Sequence, residues 1–253
     1  TSVLITTPLV LPESGEVALQ ISVQAPDEQG ARVVGIYSRP DPEEAEWLLH
    51  AQGTLVAADP AATLEPPGPL PPEEAAELPL TDLYPLLEEE GLRYGPTFQG
   101  LRQAWRDDDV LWARVSLPEE DLSGESYGLH PALLDAALHA VAVGLKDQSD
   151  DLYLPFGVDR LHLWQAGANE VWVKVESLTL TEDLVRTSLS LFNAHGLAVA
   201  RLEGLQLKRA DRAALQRASG TDTGRMRFAV QWQSVELPTT PLEGRWALWC
   251  SDS

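Results

Sequence analysis

A chain of 253 residues, 44% of them hydrophobic, is long enough to bury a sizeable core as one large domain or two, and nothing in it suggests a coiled or fibrous protein. Its formal net charge of -21, from 39 acidic against 18 basic residues, argues against nucleic acid or an anionic membrane as partner, because phosphate binding needs clustered Lys and Arg; a solvated acidic surface meets the same count. The single cysteine, Cys250, excludes an intrachain disulfide, no Cys/His cluster has metal spacing, and neither a membrane span nor a signal peptide is visible, so a cytoplasmic protein is expected.

The first predicted element is a strand in Val17-Ala18-Leu19-Gln20-Ile21-Ser22-Val23-Gln24, where alternation puts Val17, Leu19, Ile21 and Val23 on one buried face. The runs 32–39 and 47–58 continue the pattern less strictly. Turn chemistry at Pro26-Asp27-Glu28-Gln29-Gly30 separates the first two, so the N-terminal part reads as an antiparallel meander. From Asp59 to Pro79 the chain is dense in Pro, Glu and Ala. Proline fixes φ and lacks a donor, which predicts a semi-extended connector rather than strand or helix; taken alone, it equally suits a tether between independent domains.

Thr81 to Gly91 predicts a short helix closed by Gly91, and Tyr94-Gly95-Pro96 forces an irregular turn. On sequence alone Tyr94 and Phe98 read as core aromatics. Strands follow at 101–105 and 110–117, joined by Arg106-Asp107-Asp108-Asp109. In the segment from Gly128 to His139, Pro131 suits the first helical position, and the Ala and Leu run after it carries a helix to about Leu145. Ala132, Asp135, Leu138 and His139 share a face by three- and four-residue spacing. An acid and an imidazole one turn apart on an apolar helix have two readings. Either Asp135 borders the apolar stripe and His139 is a satisfied boundary histidine, or burial keeps the carboxyl protonated for proton transfer while His139 orients it. Periodicity does not choose between them.

Strand signals resume at 161–164, 171–176, 187–192 and 197–207, with a hairpin loop at Asn193-Ala194-His195-Gly196. Two meanders and one long apolar helix, placed to be wrapped by the second, make an α+β layer architecture. Beyond it, 210–219 predicts a short solvated helix, 220–224 a flexible connector, and 228–235 and 246–250 strands.

His130-Pro131-Ala132-Leu133-Leu134-Asp135, with Tyr94-Gly95-Pro96-Thr97-Phe98-Gln99-Gly100 upstream and Leu154-Pro155-Phe156 downstream, resembles the dehydratase domain of a modular type I polyketide synthase. The resemblance runs from residue 1 to about 210. It implies a double hot-dog, antiparallel sheets wrapped around a central helix, with the first hot-dog incomplete. On that reading 1–59 are the remainder of the N-terminal hot-dog, 60–80 the linker between hot-dogs, 81–210 the C-terminal hot-dog with the catalytic aspartate, and 211–227 a linker. Residues 228–253, through Phe228-Ala229-Val230-Gln231-Trp232 and Gly244-Arg245-Trp246-Ala247-Leu248-Trp249, resemble more weakly the start of a ketoreductase structural subdomain. In the dehydratase family a histidine followed by Gly at the fourth position and Pro at the ninth works with the aspartate. None of His50, His130, His139, His162 and His195 has that pattern, so the resemblance implies a base supplied from elsewhere and no activity for this chain alone.

The implied reaction removes water from a 3-hydroxyacyl thioester on an acyl carrier protein, giving the trans-2-enoyl thioester in antibiotic-type polyketide biosynthesis by a multifunctional transferase. Asp135 and His139 would be the catalytic residues, with Asp135 held protonated by apolar surroundings to meet the departing hydroxyl. Tyr94, Gly95, Pro96, Phe98, Pro131, Leu134, Pro155 and Phe156 would line the substrate site. No metal and no organic cofactor are implied beyond the phosphopantetheine that carries the substrate. Implied partners are the acyl carrier protein, neighbouring synthase domains including a ketoreductase, and a second copy in a homodimer. The alternatives are a non-catalytic hot-dog scaffold for dimerisation, or isomerase or cyclase chemistry on the same acid/base pair.

Overall fold

The computed structural model describes residues 2–9, 16–40, 46–59, 62–118, 123–146, 148–149 and 151–210. The helix, connector and strands expected beyond residue 210, and with them the ketoreductase-like segment, lie outside the described residues. Those described form twelve strands and two α-helices. The N-terminal strands are β1 (Ser2–Ile5), β2 (Val17–Val23), β3 (Arg32–Pro40) and β4 (Leu48–Leu55). Next come β5 (Ala76–Leu78), helix α1 (Leu83–Glu89), β6 (Leu101–Asp107), β7 (Val110–Ser116) and helix α2 (Pro131–Leu145). Strands β8 (Tyr153–Val158), β9 (Arg160–Leu163), β10 (Glu170–Leu180), β11 (Leu184–Phe192) and β12 (Ala198–Arg209) complete the fold.

The strands join one antiparallel sheet in the order β2-β3-β4-β1-β8-β12-β11-β10-β7-β6-β5, with β9 paired to β12. Strand β1, which the alternation pattern did not reveal, bridges the two meanders by pairing with β4 on one side and β8 on the other. Helix α2 packs on β6, β7 and β10. Its Ala132, Leu133, Ala136, Ala137, Ala140 and Val141 are fully buried against Val115, Val171, Val173 and Val185. Small Ala side chains along that face let the helix lie close to the branched residues of the sheet, and the shared apolar area is what holds the layers together.

The buried face expected for β2 is a different matter. Leu19, Ile21 and Val23 do share a face, since Ile21 lies opposite Ile36 and Val23 opposite Val34, yet they are 56%, 68% and 50% exposed. Alternation fixes which side chains point the same way, but burial needs a covering layer, and α2 lies under β6, β7 and β10 instead.

The Pro-rich run is also more than a connector. Ala76–Leu78 forms edge strand β5 on β6, and Leu64, Leu70 and Ala75 pack on the outer face of the sheet over Trp105, Trp112, Trp172 and Phe192. Trp105 and Trp172 stack with ring centroids 5.3 Å apart. Farther along, the indole Nε1 of Trp164 donates to the Ala62 carbonyl at 2.9 Å. Extended proline-rich backbone makes few hydrogen bonds of its own, so it gains by lying on an aromatic surface that would otherwise face water.

Candidate active site

Pro131 stands at the first position of α2, and the residue before it, His130, is the N-cap: its Nδ1 accepts from the Ala132 amide at 3.1 Å. Capping orients the first turn, and one turn further Asp135 leads to His139 as the spacing required. Nε2 of His139 lies 3.3 Å from Oδ2 of Asp135, out of hydrogen-bond alignment, so Nε2 has no hydrogen-bond partner. The imidazole is 5% exposed and the Asp135 side chain 33%. The burial expected around Asp135 is therefore only partial. The face of α2 made by Ala132, Ala136 and Ala140 takes the sheet, and Asp135 falls at its margin.

Two tyrosines close around His139. Tyr84, from α1, places Oη 3.4 Å from His139 Nδ1 and accepts from the Leu101 amide at 3.1 Å. Tyr94, from the loop after α1, meets the imidazole edge-on with centroids 4.4 Å apart, and Tyr84 does so at 5.6 Å. The loop is held by Gln99 Nε2 donating to the Tyr94 carbonyl at 2.8 Å and by a single 3-10 turn over Pro96–Phe98. Burial pushes the phenol of Tyr84 above its usual range; the Leu101 amide and Arg102 oppose this, and Asp135 adds to it. Tyr94 is pushed up by burial, then by the charge of Asp135 and by Tyr84. Both hydroxyls therefore keep their protons and remain donors near neutral pH.

Gly91, at φ 98°, ends α1 as the sequence indicated. Gly100 matters through close approach instead. A Cβ there would lie 2.9 Å from Ala136 Cβ and 2.9 Å from the Ser116 carbonyl, so its bare backbone lets the Tyr94 loop reach α2.

Of the expected substrate-binding residues, Tyr94 joins the cluster, Gly95 and Pro96 start the 3-10 turn, and Phe98 is 39% exposed on it. Leu134 packs on the core beside Asp135, and Pro131 is exposed at the helix start. Pro155 and Phe156 belong to another part of the sheet: Pro155 lies opposite Leu207, and Lys208 Nζ sits 3.6 Å from the Phe156 ring centroid. Sequence reasoning missed Tyr84. The segment around it is amphipathic, Leu with Glu, and nothing in that spacing shows that its hydroxyl meets a residue 55 positions away.

The other four histidines lie elsewhere. His50 is hydrogen-bonded to Ser38 and the Thr7 carbonyl, His130 caps α2, His162 stacks on Trp164, and His195 lies in the β11–β12 turn. Among the described residues, no three His, Cys, Asp or Glu side chains are grouped to hold a metal, and no helix is long and apolar enough to cross a membrane.

Residues 62–217, which include α1, the Tyr94 loop and α2, match the family described as "Polyketide synthase dehydratase N-terminal domain". The chain belongs to the polyketide synthase dehydratases. Spectinabilin polyketide synthase system protein NorA of Streptomyces orinoci is 40% identical over 246 residues, which make up 95% of this chain and 13% of that protein. The bifunctional dehydratase-cyclase domain in ambruticin biosynthesis superposes with a TM-score of 0.74 at 34% identity, over 87% of this chain and 78% of that one. The erythromycin dehydratase does so with a TM-score of 0.65 at 36% identity, over 81% and 72%. The fold is thus the α+β hot-dog of these dehydratases, and the chain spans a small part of the synthase proteins to which it is related.

Proposed function

We propose that this chain supplies the acid side of a dehydratase that removes water from a 3-hydroxyacyl thioester carried on an acyl carrier protein, within a larger cytoplasmic synthase. The observation that carries the reading is Asp135 standing one helical turn from buried His139, under the rings of Tyr84 and Tyr94. A carboxyl at the margin of a packed helix can reach a substrate while its partner imidazole stays fixed.

Hydroxide is a poor leaving group, so the elimination needs a proton at the departing oxygen. Asp135 gives that proton, the C–O bond breaks, and water leaves. The electron pair of the α C–H bond becomes the C=C bond, and its proton passes to a second histidine, distinct from His139, that is not among the described residues around Asp135. An acyl chain lying over Asp135 excludes water from its partly exposed carboxyl. This chemistry asks for no metal, and the only prosthetic group it involves is the phosphopantetheine of the carrier. The carrier protein, a neighbouring ketoreductase that supplies the hydroxyl, and a second copy of the synthase are the partners this reading carries.

Turnover of a 3-hydroxyacyl thioester by the protein that carries this chain tests it. Asp135→Asn should slow formation of the enoyl product by about two to four powers of ten, the usual worth of a positioned acid. Its thermal unfolding should match the parent, because the side chain it replaces is partly exposed. A variant that turns over near the parental rate would remove Asp135 from the chemistry.

A further inference from the structure

Two hydrogen-bond contacts meet at Tyr84 Oη, and the direction of one of them is fixed. A backbone amide can only donate, so the contact from Leu101 N makes Tyr84 Oη the acceptor and leaves its own hydrogen for another partner. Nδ1 of His139 stands 3.4 Å away to receive it, a long contact of the kind that tightens when a site is filled. A hydroxyl donating into Nδ1 needs a lone pair there. The hydrogen of the neutral imidazole then sits on Nε2, the ring nitrogen 3.3 Å from Asp135 Oδ2 that has no hydrogen-bond partner of its own.

We propose that Tyr84 is a positioning residue that fixes His139 in the Nε2–H tautomer, so that a turn of the partly exposed Asp135 carboxyl into line lets His139 donate to Oδ2 and leaves Oδ1 as the oxygen bearing the transferable proton. The tautomer rests on geometry alone, and its catalytic consequence rests on the dehydratase reading above. In the opposite tautomer Nε2 would present a lone pair to Oδ2. The acid proton would then settle between carboxyl and ring, facing away from a substrate. With Nε2–H in place, the Oδ1–H bond breaks as its proton passes to the departing hydroxyl, and the carboxylate left behind is met by an N–H donor, a charge-assisted bond stronger than a neutral one. The buried environment that raises the Tyr84 phenol keeps that hydroxyl a donor while this happens.

Nitrogen NMR of the chain labelled in its imidazoles, at about pH 8 where a histidine is neutral, reads the tautomer directly. The parent should carry the His139 proton on Nε2, and Tyr84→Phe, which keeps the ring and removes the hydroxyl, should give a mixture of tautomers. In the protein that carries this chain, the same substitution should lower kcat about tenfold, the worth of one hydrogen bond, with KM changed by less than about twofold. A parental His139 protonated on Nδ1 overturns the proposal whether or not the variant folds. A folded Tyr84→Phe with unchanged tautomer and unchanged kcat overturns it too. If Asp135→Asn retains turnover while the His139 tautomer still follows Tyr84, the acid role fails and the tautomer relay stands.

Discussion

The ring of Tyr94 meets the His139 imidazole at 70° with centroids 4.4 Å apart, so the loop after α1 ends on the helix that carries Asp135. Edge-to-face contact of this kind depends on the ring and not on the hydroxyl. Tyr94→Phe should therefore unfold at the same denaturant concentration as the parent, while Tyr94→Ala should lose about 1–2 kcal/mol from the missing ring contact. Urea titrations of the two variants check this. Equal losses in both would mean that the hydroxyl, and not the ring, holds the loop.

His130 makes the start of α2 sensitive to acid. Burial holds its imidazole below the usual histidine range, and Nδ1 must keep a lone pair to accept from Ala132. An unfolded chain protonates this histidine near pH 6.5. Below that value the unfolded state binds a proton that the folded state refuses, so stability present at neutral pH is lost as the pH falls through 6.5 towards the lower folded value. His130→Asn keeps a capping acceptor that does not titrate and should flatten this part of the pH dependence. His130→Ala should cost about 1 kcal/mol at neutral pH by leaving the first turn uncapped. Unfolding free energies measured on either side of pH 6.5 decide both.

Much of this was legible in the residues. Pro131 and the Ala-Leu run after it set both ends of α2, because local chemistry decides a helix start and a helix length. The alternating runs after α2 gave β10, β11 and β12 with their order and turn, though each strand extends beyond the run that announced it. What stayed hidden was tertiary. The β2 face is apolar in sequence and open in the structure, since no alternation records what packs on it. Tyr84 was hidden for the same reason: its partners Leu101 and His139 are 17 and 55 positions away. The helix phase placed Asp135 beside His139 and could not say that one is buried and the other partly open.

The close approach of the Tyr94 loop to α2 hangs on Gly100. A methyl group there would press on Ala136 and on the Ser116 carbonyl, and the latter is backbone that cannot turn aside. Gly100→Ala should therefore destabilise by about 1–3 kcal/mol, the usual range for overpacking. It should also loosen the loop, so that the His139 signals in an NMR spectrum broaden or move. A variant as stable as the parent, with unmoved His139 signals, would show that the backbone relaxes freely at this point.

The strap over the outer face ties the tryptophans to the site. Leu64, Leu70 and Ala75 cover Trp105, Trp112, Trp172 and Phe192, and the same stretch continues through β5 into α1, which carries Tyr84. Lifting the strap should thus be felt on both faces of the sheet. Leu70→Asp sets a charge against apolar rings, where it can neither be solvated well nor find a partner among them, and should cost about 1–2 kcal/mol. Indole fluorescence should become more open to acrylamide, because three of the chain's eight tryptophans lie under the strap. If β5 and α1 move with it, the Tyr84 hydroxyl withdraws from His139 and the tautomer mixture expected of Tyr84→Phe should appear in Leu70→Asp as well. Greater quenching with an unchanged His139 tautomer would separate the two, leaving the strap a cover for the tryptophans and β5 by itself a sufficient anchor for α1.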